Sequence, residues 1–159
     1  MPQAIVKPSN QIVAFGTPLS VEMEIGANAT VAKVVPGRVV IFDDADQTVK
    51  EAGAAADNVV GFIEVSPDGT KTTQPAVGDQ VPIIIGECLA VLTLLANENV
   101  TRGDPLVTAA DGKLAKQAVG AMGAQGSVVA HALTNGDPTS ADVTIIAALS
   151  SSAEPAAAT

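Results

Sequence analysis

A pattern that occurs twice constrains the fold of this chain more than any other feature of its sequence. Residues 34–50 read VVPGRVVIFDDADQTVK, and residues 100–116 read VTRGDPLVTAADGKLAK. In both, a glycine precedes a short apolar run that ends at an acidic turn, and the two glycines, Gly37 and Gly103, lie 66 residues apart. The chain therefore contains two copies of one structural unit.

Each copy has the composition of short β-strands separated by tight turns. Glycine and aspartate bound apolar runs of four to eight residues, and the later strands match at an offset of 69, with Val60 corresponding to Val129. One such β-meander has an apolar face that it cannot cover alone, whereas two can bury these faces against each other. The sequence predicts an all-β fold with little helix, a barrel or sandwich of β-tulip type, built from two related β-meander units at about 34–85 and 100–149.

The apolar residues support this fold class. Hydrophobic residues make up 47% of the chain, but there is no Trp, no Tyr and only three Phe, so Val, Ile, Leu and Ala must form the core. β-branched side chains pack well on a pleated sheet. Two segments stay ambiguous: we favour a strand for residues 87–95, and a short helix is possible around 115–124.

The two ends of the chain differ in composition from the repeats. Residues 1–20 contain three prolines and read as an extended arm, which precedes a single β domain at 21–149. The arm has no partner in its own repeat, and we expect its apolar residues to contact another protein. Residues 150–159 are small and polar and are expected to form a disordered tail. The predicted contact residues of the arm are Ile5, Val6, Ile12, Val13 and Phe15.

The charge distribution argues against nucleic-acid binding. The chain carries 8 basic and 17 acidic residues, a net charge of −9, and its basic residues are scattered singly. Nucleic-acid binding requires clustered Lys and Arg. No apolar run reaches the length of a membrane-spanning helix, and no secretory signal opens the sequence, so we expect a soluble protein made in a cytoplasm and without a membrane partner.

No residue pattern predicts catalysis, a cofactor or a metal. Asp43, Asp44 and Asp46 lack the spacing of a calcium loop and are expected to lie in a solvated hairpin turn. The single cysteine, Cys88, lies in an apolar run and is expected to be a buried thiol, and the single histidine, His131, to be a surface or interface residue. There is no nucleophile elbow and no phosphate-binding loop. We therefore expect that the protein is not an enzyme.

One alternative function comes from residues 77–92, VGDQVPIIIGECLAVL. This stretch resembles a hairpin of biotinyl and lipoyl carrier domains, which present a modifiable lysine at a hairpin tip. Only Lys71 occupies a plausible tip. The alternative is therefore a carrier or binding module of a larger assembly.

The second repeat resembles the capsid decoration proteins, or cement proteins, of tailed bacteriophages. The resemblance rests on the Gly-Asp turn, the apolar pair, the acidic-Gly turn and the closing strands SVVAHALT and DVTIIAAL. The family favours Gly where this chain has Ala130, although Gly61 preserves it in the first repeat. The resemblance covers residues 34–149.

The resemblance implies a structural protein without enzymatic activity or cofactor. It implies a homotrimer on the outside of a viral head, in contact with the major capsid protein and reinforcing the shell against internal DNA pressure. It also implies that the protein is made in the host cytoplasm and resides in the virion. The arm would then lie along a capsid subunit or a neighbouring protomer as an added strand.

Overall fold

The regular secondary structure of the described residues is almost entirely β-strand. The structure, a computed structural model, describes residues 12–14, 19–53, 59–63, 75–86, 88–117, 128–137 and 143–154. In this part of the chain the strands are β1 Ile12–Ala14, β2 Leu19–Ile25, β3 Val39–Phe42, β4 Thr48–Glu51, β5 Val59–Ile63, β6 Gln80–Ile85, β7 Leu89–Leu94, β8 Pro105–Thr108, β9 Leu114–Lys116, β10 Val128–Ala132 and β11 Val143–Glu154. Two 3₁₀ turns, Val31–Lys33 and Ala110–Gly112, complete the list. The predicted all-β class is confirmed, and none of the described helices has the length and apolarity to cross a membrane.

Two sets of five strands share one topology. The first unit, β2 to β6, is a closed barrel in the order β2-β4-β3-β5-β6, with β2 parallel to β4 and all other neighbours antiparallel. The second unit, β7 to β11, repeats each of these pairings, including the parallel pair between β7 and β9. The strand order within a unit is not sequential, because β5 pairs with β3 and β2 lies between β4 and β6. The seam between β7 and β9 is narrow, with Leu94 opposite Leu114.

Matching hydrogen bonds confirm the predicted repeat. The amide of Gly37 donates to the carbonyl of Ile63 at 3.3 Å, and the amide of Gly103 donates to the carbonyl of Ala132 at 2.8 Å. These partners are related by the offsets of 66 and 69. Both glycines have positive φ, 85° and 95°, which favours glycine at this turn.

The boundaries of the units differ from the predicted ones. Each unit starts with a strand that precedes the obvious repeat, β2 before residue 34 and β7 before residue 100. The prediction of a strand at 87–95 is confirmed by β7, whereas Leu114–Lys116 is a strand where a short helix was possible. Residues 118–124 of that segment lie outside the described part.

The prediction that the disordered tail begins at residue 150 is wrong. Strand β11 continues through Glu154, which pairs with Val128 of β10. The sequence SSSAE has no apolar alternation that would predict a strand. It can still form one, because main-chain pairing requires no particular side chain. Residues 155–159 lie outside the described part.

The buried side chains form two clusters, so the two units do not simply bury their apolar faces in one shared interior, as predicted. The first cluster fills the first barrel and consists of Ile25, Val34, Val40, Val49, Ile63, Val81 and Ile83. The second cluster joins the interior of the second unit to the outward face of the first. It includes Leu92, Leu94, Leu106, Leu114 and Ala130 from the second unit and Val39, Ala52, Phe62 and Ile84 from the first.

Neighbouring residues on the strands of the first unit enter different clusters. Val40 and Ile63 point into the first barrel, while Val39 and Phe62 point toward the second unit. All four are buried. These strands read as continuous apolar runs because both of their faces are covered.

The acidic turn of the second unit fastens the two units together. The amide of Gly112 donates to the carbonyl of Ala52 at 2.6 Å, and a guanidinium nitrogen of Arg38 donates to the carbonyl of Asp111 at 2.8 Å. The carboxylate of Asp111 lies 2.6 Å from Nζ of Lys33, and this bond holds the pKa of Asp111 below its usual value. The turn is therefore seated on the first unit by main-chain and charged contacts.

Candidate interaction surfaces

Part of the N-terminal arm is paired within its own chain. In β1, Ile12 lies opposite Ala90 and Ala14 lies opposite Leu89, both on β7. The expectation that the arm has no partner in its own subunit is therefore wrong for Ile12–Ala14. The reason is topological, because β9 pairs with β7 only near Leu94 and leaves the earlier part of that edge to β1.

The described structure includes one of the other predicted arm residues. Val13 lies within β1. Ile5, Val6 and Phe15 lie outside the described residues. Their role as contact residues stays a prediction.

The first unit has an edge that corresponds to the one on which β1 lies. At the offset of 69, Ser20 and Val21 of β2 correspond to Leu89 and Ala90 of β7. On this side of β2, β4 pairs only with Glu24 and Ile25, and no other described strand is added. We refer to residues 19–23 on this side as the open β2 edge.

Exposed apolar side chains mark one end of the first barrel. Phe42, at the end of β3, is 59% exposed, and Val77, in the turn before β6, is 54% exposed. Main-chain hydrogen bonds connect both turns to β2, since the carbonyl of Gln47 accepts from Glu24 and that of Asp79 accepts from Ile25. We refer to residues 26–30, 42–47 and 76–79 as the barrel-end surface.

A buried carboxylate fixes this surface. Asp43 accepts hydrogen bonds from the amide and the side chain of Asn28, at 3.0 and 2.9 Å, and its carboxylate lies 3.1 Å from Nζ of Lys50. Burial raises the pKa of Asp43, but the hydrogen bonds from Asn28 and Lys50 outweigh it and hold that pKa well below its usual value. A β-carbon on Gly26 would overlap the Asp43 carboxylate, so glycine is required there.

The aspartates of the hairpin thus differ from one another. The side chain of Asp43 is only 2% exposed, which corrects the prediction that it lies in a solvated turn. Asp44 and Asp46 are exposed, as predicted, and Asp44 accepts a hydrogen bond from Asn28 at 3.0 Å. Sequence spacing alone could not separate them, because the partner Asn28 comes from another loop.

The corresponding hairpin of the second unit is already occupied. Thr108, which corresponds to Phe42 at the offset of 66, is 2% exposed, and the turn that follows it is seated on the first unit. The first unit presents the same hairpin to solvent with an aromatic residue at its base. This contrast makes the barrel-end surface a candidate contact site.

The remaining candidates from the sequence are structural in their surroundings. Cys88 is buried, as predicted, and His131 is half-buried on β10. Asp104, in the Gly-Asp turn of the second repeat, accepts from the amide of Thr101 and pairs with Lys116 at 2.8 Å. Among the residues that the structure describes, no group of His, Cys, Asp or Glu is placed to hold a metal ion. Lys71, the possible carrier lysine, lies outside them.

Comparison with known proteins places the chain in a family. Residues 11–158 match the family model of the XM1 gp53 minor capsid protein. This chain belongs to that family. The predicted relation to phage capsid-associated proteins is therefore confirmed, and a structural, virion-associated role follows from it at this level. No curated protein matches the chain.

A solved structure shares the fold. The chain is similar to the structure described as the head fiber gp8.5 N base in bacteriophage phi29, with a TM-score of 0.50 and 16% sequence identity. The match covers 87% of this chain and 98% of that one. At this identity the likeness concerns the fold.

Proposed function

We propose that this minor capsid protein is a decoration protein, which binds the outer surface of the phage head as a homotrimer and reinforces the shell against the pressure of the packaged DNA. Membership of the minor capsid protein family over residues 11–158 is the observation that carries the proposal. The major capsid protein is the proposed partner.

The barrel-end surface is the proposed contact with the shell. Exposed apolar residues at a rigid site are typical anchors of protein interfaces, and Phe42 and Val77 lie at one end of the barrel. The hydrogen bonds of Asp43 hold the surrounding loops in place before binding, which reduces the entropy lost on association. The exposed Asp44 and Asp46 favour a basic surface on the partner.

The net charge supports a position outside the shell. With a net charge of −9, the chain is repelled by the phosphates of packaged DNA. On the outside of the head, the shell lies between the chain and these phosphates. A trimer would present three copies of the barrel-end surface. Once one copy is bound, the others bind at high effective concentration, so modest contacts add up to strong attachment.

The experiment uses heads that lack this protein. Purified protein is mixed with expanded, undecorated heads, occupancy is measured by co-sedimentation, position by cryo-electron microscopy, and head stability by the temperature at which DNA is released. We expect saturable binding on the outer surface and a higher release temperature. Absence of binding, an internal position, or an unchanged release temperature at full occupancy would contradict the proposal.

The oligomeric state is measured separately. Light scattering on the purified protein should give the mass of three chains of 15.8 kDa. A monomer at micromolar concentration would contradict the trimer while leaving a capsid-binding role open to the first experiment.

A further inference from the structure

We propose that the open β2 edge of each protomer receives residues 4–7 of a second copy of this chain, added as an antiparallel strand. The inference deepens the proposed function and rests on its oligomeric part. It assigns the N-terminal segment to a neighbouring protomer and leaves the shell to the barrel-end surface.

The acceptor follows from the internal repeat. In the second unit, β1 covers the edge of β7 at Leu89 and Ala90. The corresponding residues of the first unit, Ser20 and Val21, have no described strand on that side. The two units have the same set of strand pairings, so the edge of β2 corresponds to the edge of β7 that accepts a strand.

Exposure supports the same conclusion. Leu19, at the start of β2, is 59% exposed, whereas Cys88, which corresponds to it at the offset of 69, is 4% exposed. An exposed strand edge with an apolar residue beside it pairs readily with another chain unless it is covered. Cys88 is buried in the cluster between the two units, whereas Leu19 is left exposed, and a strand on the open β2 edge would cover it.

The donor also repeats a pattern of the chain. Ile12 and Val13 belong to β1, and the same pair of residue types occurs seven residues earlier as Ile5 and Val6. Pro8 favours an extended conformation for the preceding residue, which suits a strand at residues 4–7. A pair that matches the strand bound on β7 is therefore present in the sequence seven residues before it.

The charges of the proposed donor segment and of β2 are complementary. Lys7 is the only cation before Lys33, and β2 exposes Glu22 and Glu24 on one face. An added strand would bring this cation beside that acidic face, and the carboxylates would disfavour acidic strands from other proteins.

Stoichiometry favours a second copy as the donor. Each chain has one such segment and one open β2 edge, so every copy can donate one strand and accept one. A head-to-tail contact of this kind closes into a ring when the rotation between copies allows it, and a trimer is one such ring. The main-chain hydrogen bonds supply affinity, and the Ile-Val pair sets the register.

Disulfide cross-linking tests the register. The arrangement of Ile12 opposite Ala90 predicts that Ile5 of one copy faces Val21 of the next. The pair Ile5→Cys and Val21→Cys, in a Cys88→Ala background, should give covalent dimers and trimers on a non-reducing gel. The control pair Ile12→Cys and Ala90→Cys should give a cross-link within one chain, and either single variant should give monomers.

A second pair of variants tests the role in assembly. Ile5→Asp with Val6→Asp should convert the trimer to monomers by light scattering while the thermal unfolding of the body changes little. Gln3→Asp with Asn10→Asp adds the same charge outside the Ile-Val pair and should stay trimeric.

The outcomes separate the inference from the proposed function. A wild-type trimer in which Ile5 and Val21 form no link, or only a link within one chain, would overturn the inference and leave the trimer intact. A link from Ile5→Cys to the capsid protein in decorated heads would also overturn it. A monomeric wild-type protein would contradict the proposed trimer itself.

Discussion

A β-carbon on Gly112 would lie 2.7 Å from the carbonyl oxygen of Val39, so the second unit approaches the backbone of the first as closely as glycine allows. The amide of Gly112 donates to Ala52 at the same place. This contact seats a turn of the second unit on the outward face of the first.

Replacement of Gly112 by alanine should therefore weaken the junction. Gly112 has φ of 68°, which costs alanine about 1–2 kcal/mol, and the contact with Val39 adds about 1–3 kcal/mol of overpacking. We expect urea unfolding to show a decrease in the free energy of unfolding equal to the sum of these two costs. Gly103→Ala is the matched control, since Gly103 also has positive φ but has open space where its β-carbon would lie, and it should show the backbone cost alone. Equal losses for both variants would contradict the tight junction.

The outward faces of the two units have different compositions. Val39, Ala52 and Phe62 of the first unit are fully buried under the second. Their counterparts at the offsets of 66, 65 and 69 are Pro105, Gln117 and His131, which are half-buried. The outward face of the second unit is therefore more polar than that of the first.

Phe62 and His131 provide a direct test of this asymmetry. Phe62→Ala should lower the free energy of unfolding by about 3–5 kcal/mol, because a large side chain is lost from the buried face between the units. His131→Ala, at the equivalent place, should cost less than about 1 kcal/mol. Chemical denaturation of both variants measures the difference. A comparable loss at His131 would show that its face is covered in the free protein.

The carboxylate of Asp43 predicts a dependence of stability on pH. Its pKa is lowered in the folded state, so it stabilises the fold above the unfolded value of about 4, and this contribution is lost as the pH falls further. Asp43→Asn should lower the free energy of unfolding at pH 7 by about 2–3 kcal/mol and should reduce its slope between pH 4 and 2. Asp46→Asn, in the same hairpin, should change stability by less than about 0.5 kcal/mol. An unchanged slope in Asp43→Asn would refute the assignment.

The barrel-end surface predicts a loss of binding without a loss of stability. Phe42→Ser combined with Val77→Ser should weaken attachment to undecorated heads at least tenfold, which corresponds to about 1.4 kcal/mol, while the melting temperature stays within a few degrees. Leu133→Ser removes an exposed leucine from the second unit and should bind normally. Co-sedimentation at a series of concentrations measures the affinities. Normal binding by the double variant would exclude this surface as the contact with the shell.

The sequence by itself determined the repeated unit and its approximate register. Gly37 and Gly103 need the same left-handed turn, and the offsets of 66 and 69 reappear in the hydrogen bonds, because local turn chemistry and alternation depend on neighbouring residues. The turn and the alternation are visible in each copy, and comparison of the two copies gives the offsets. They also led to the capsid-associated family.

Only the tertiary structure decided how the two copies differ. Nothing in the local sequence indicates that Phe62 faces the second unit while Ile63 fills the first barrel, or that Asp43 is buried by a loop fifteen residues earlier. The tertiary structure also pairs Ile12 with β7 and leaves the equivalent edge of β2 uncovered by any described strand. These features depend on contacts between segments far apart in the chain, and two units with the same strand topology acquire different surfaces because one is packed against the other.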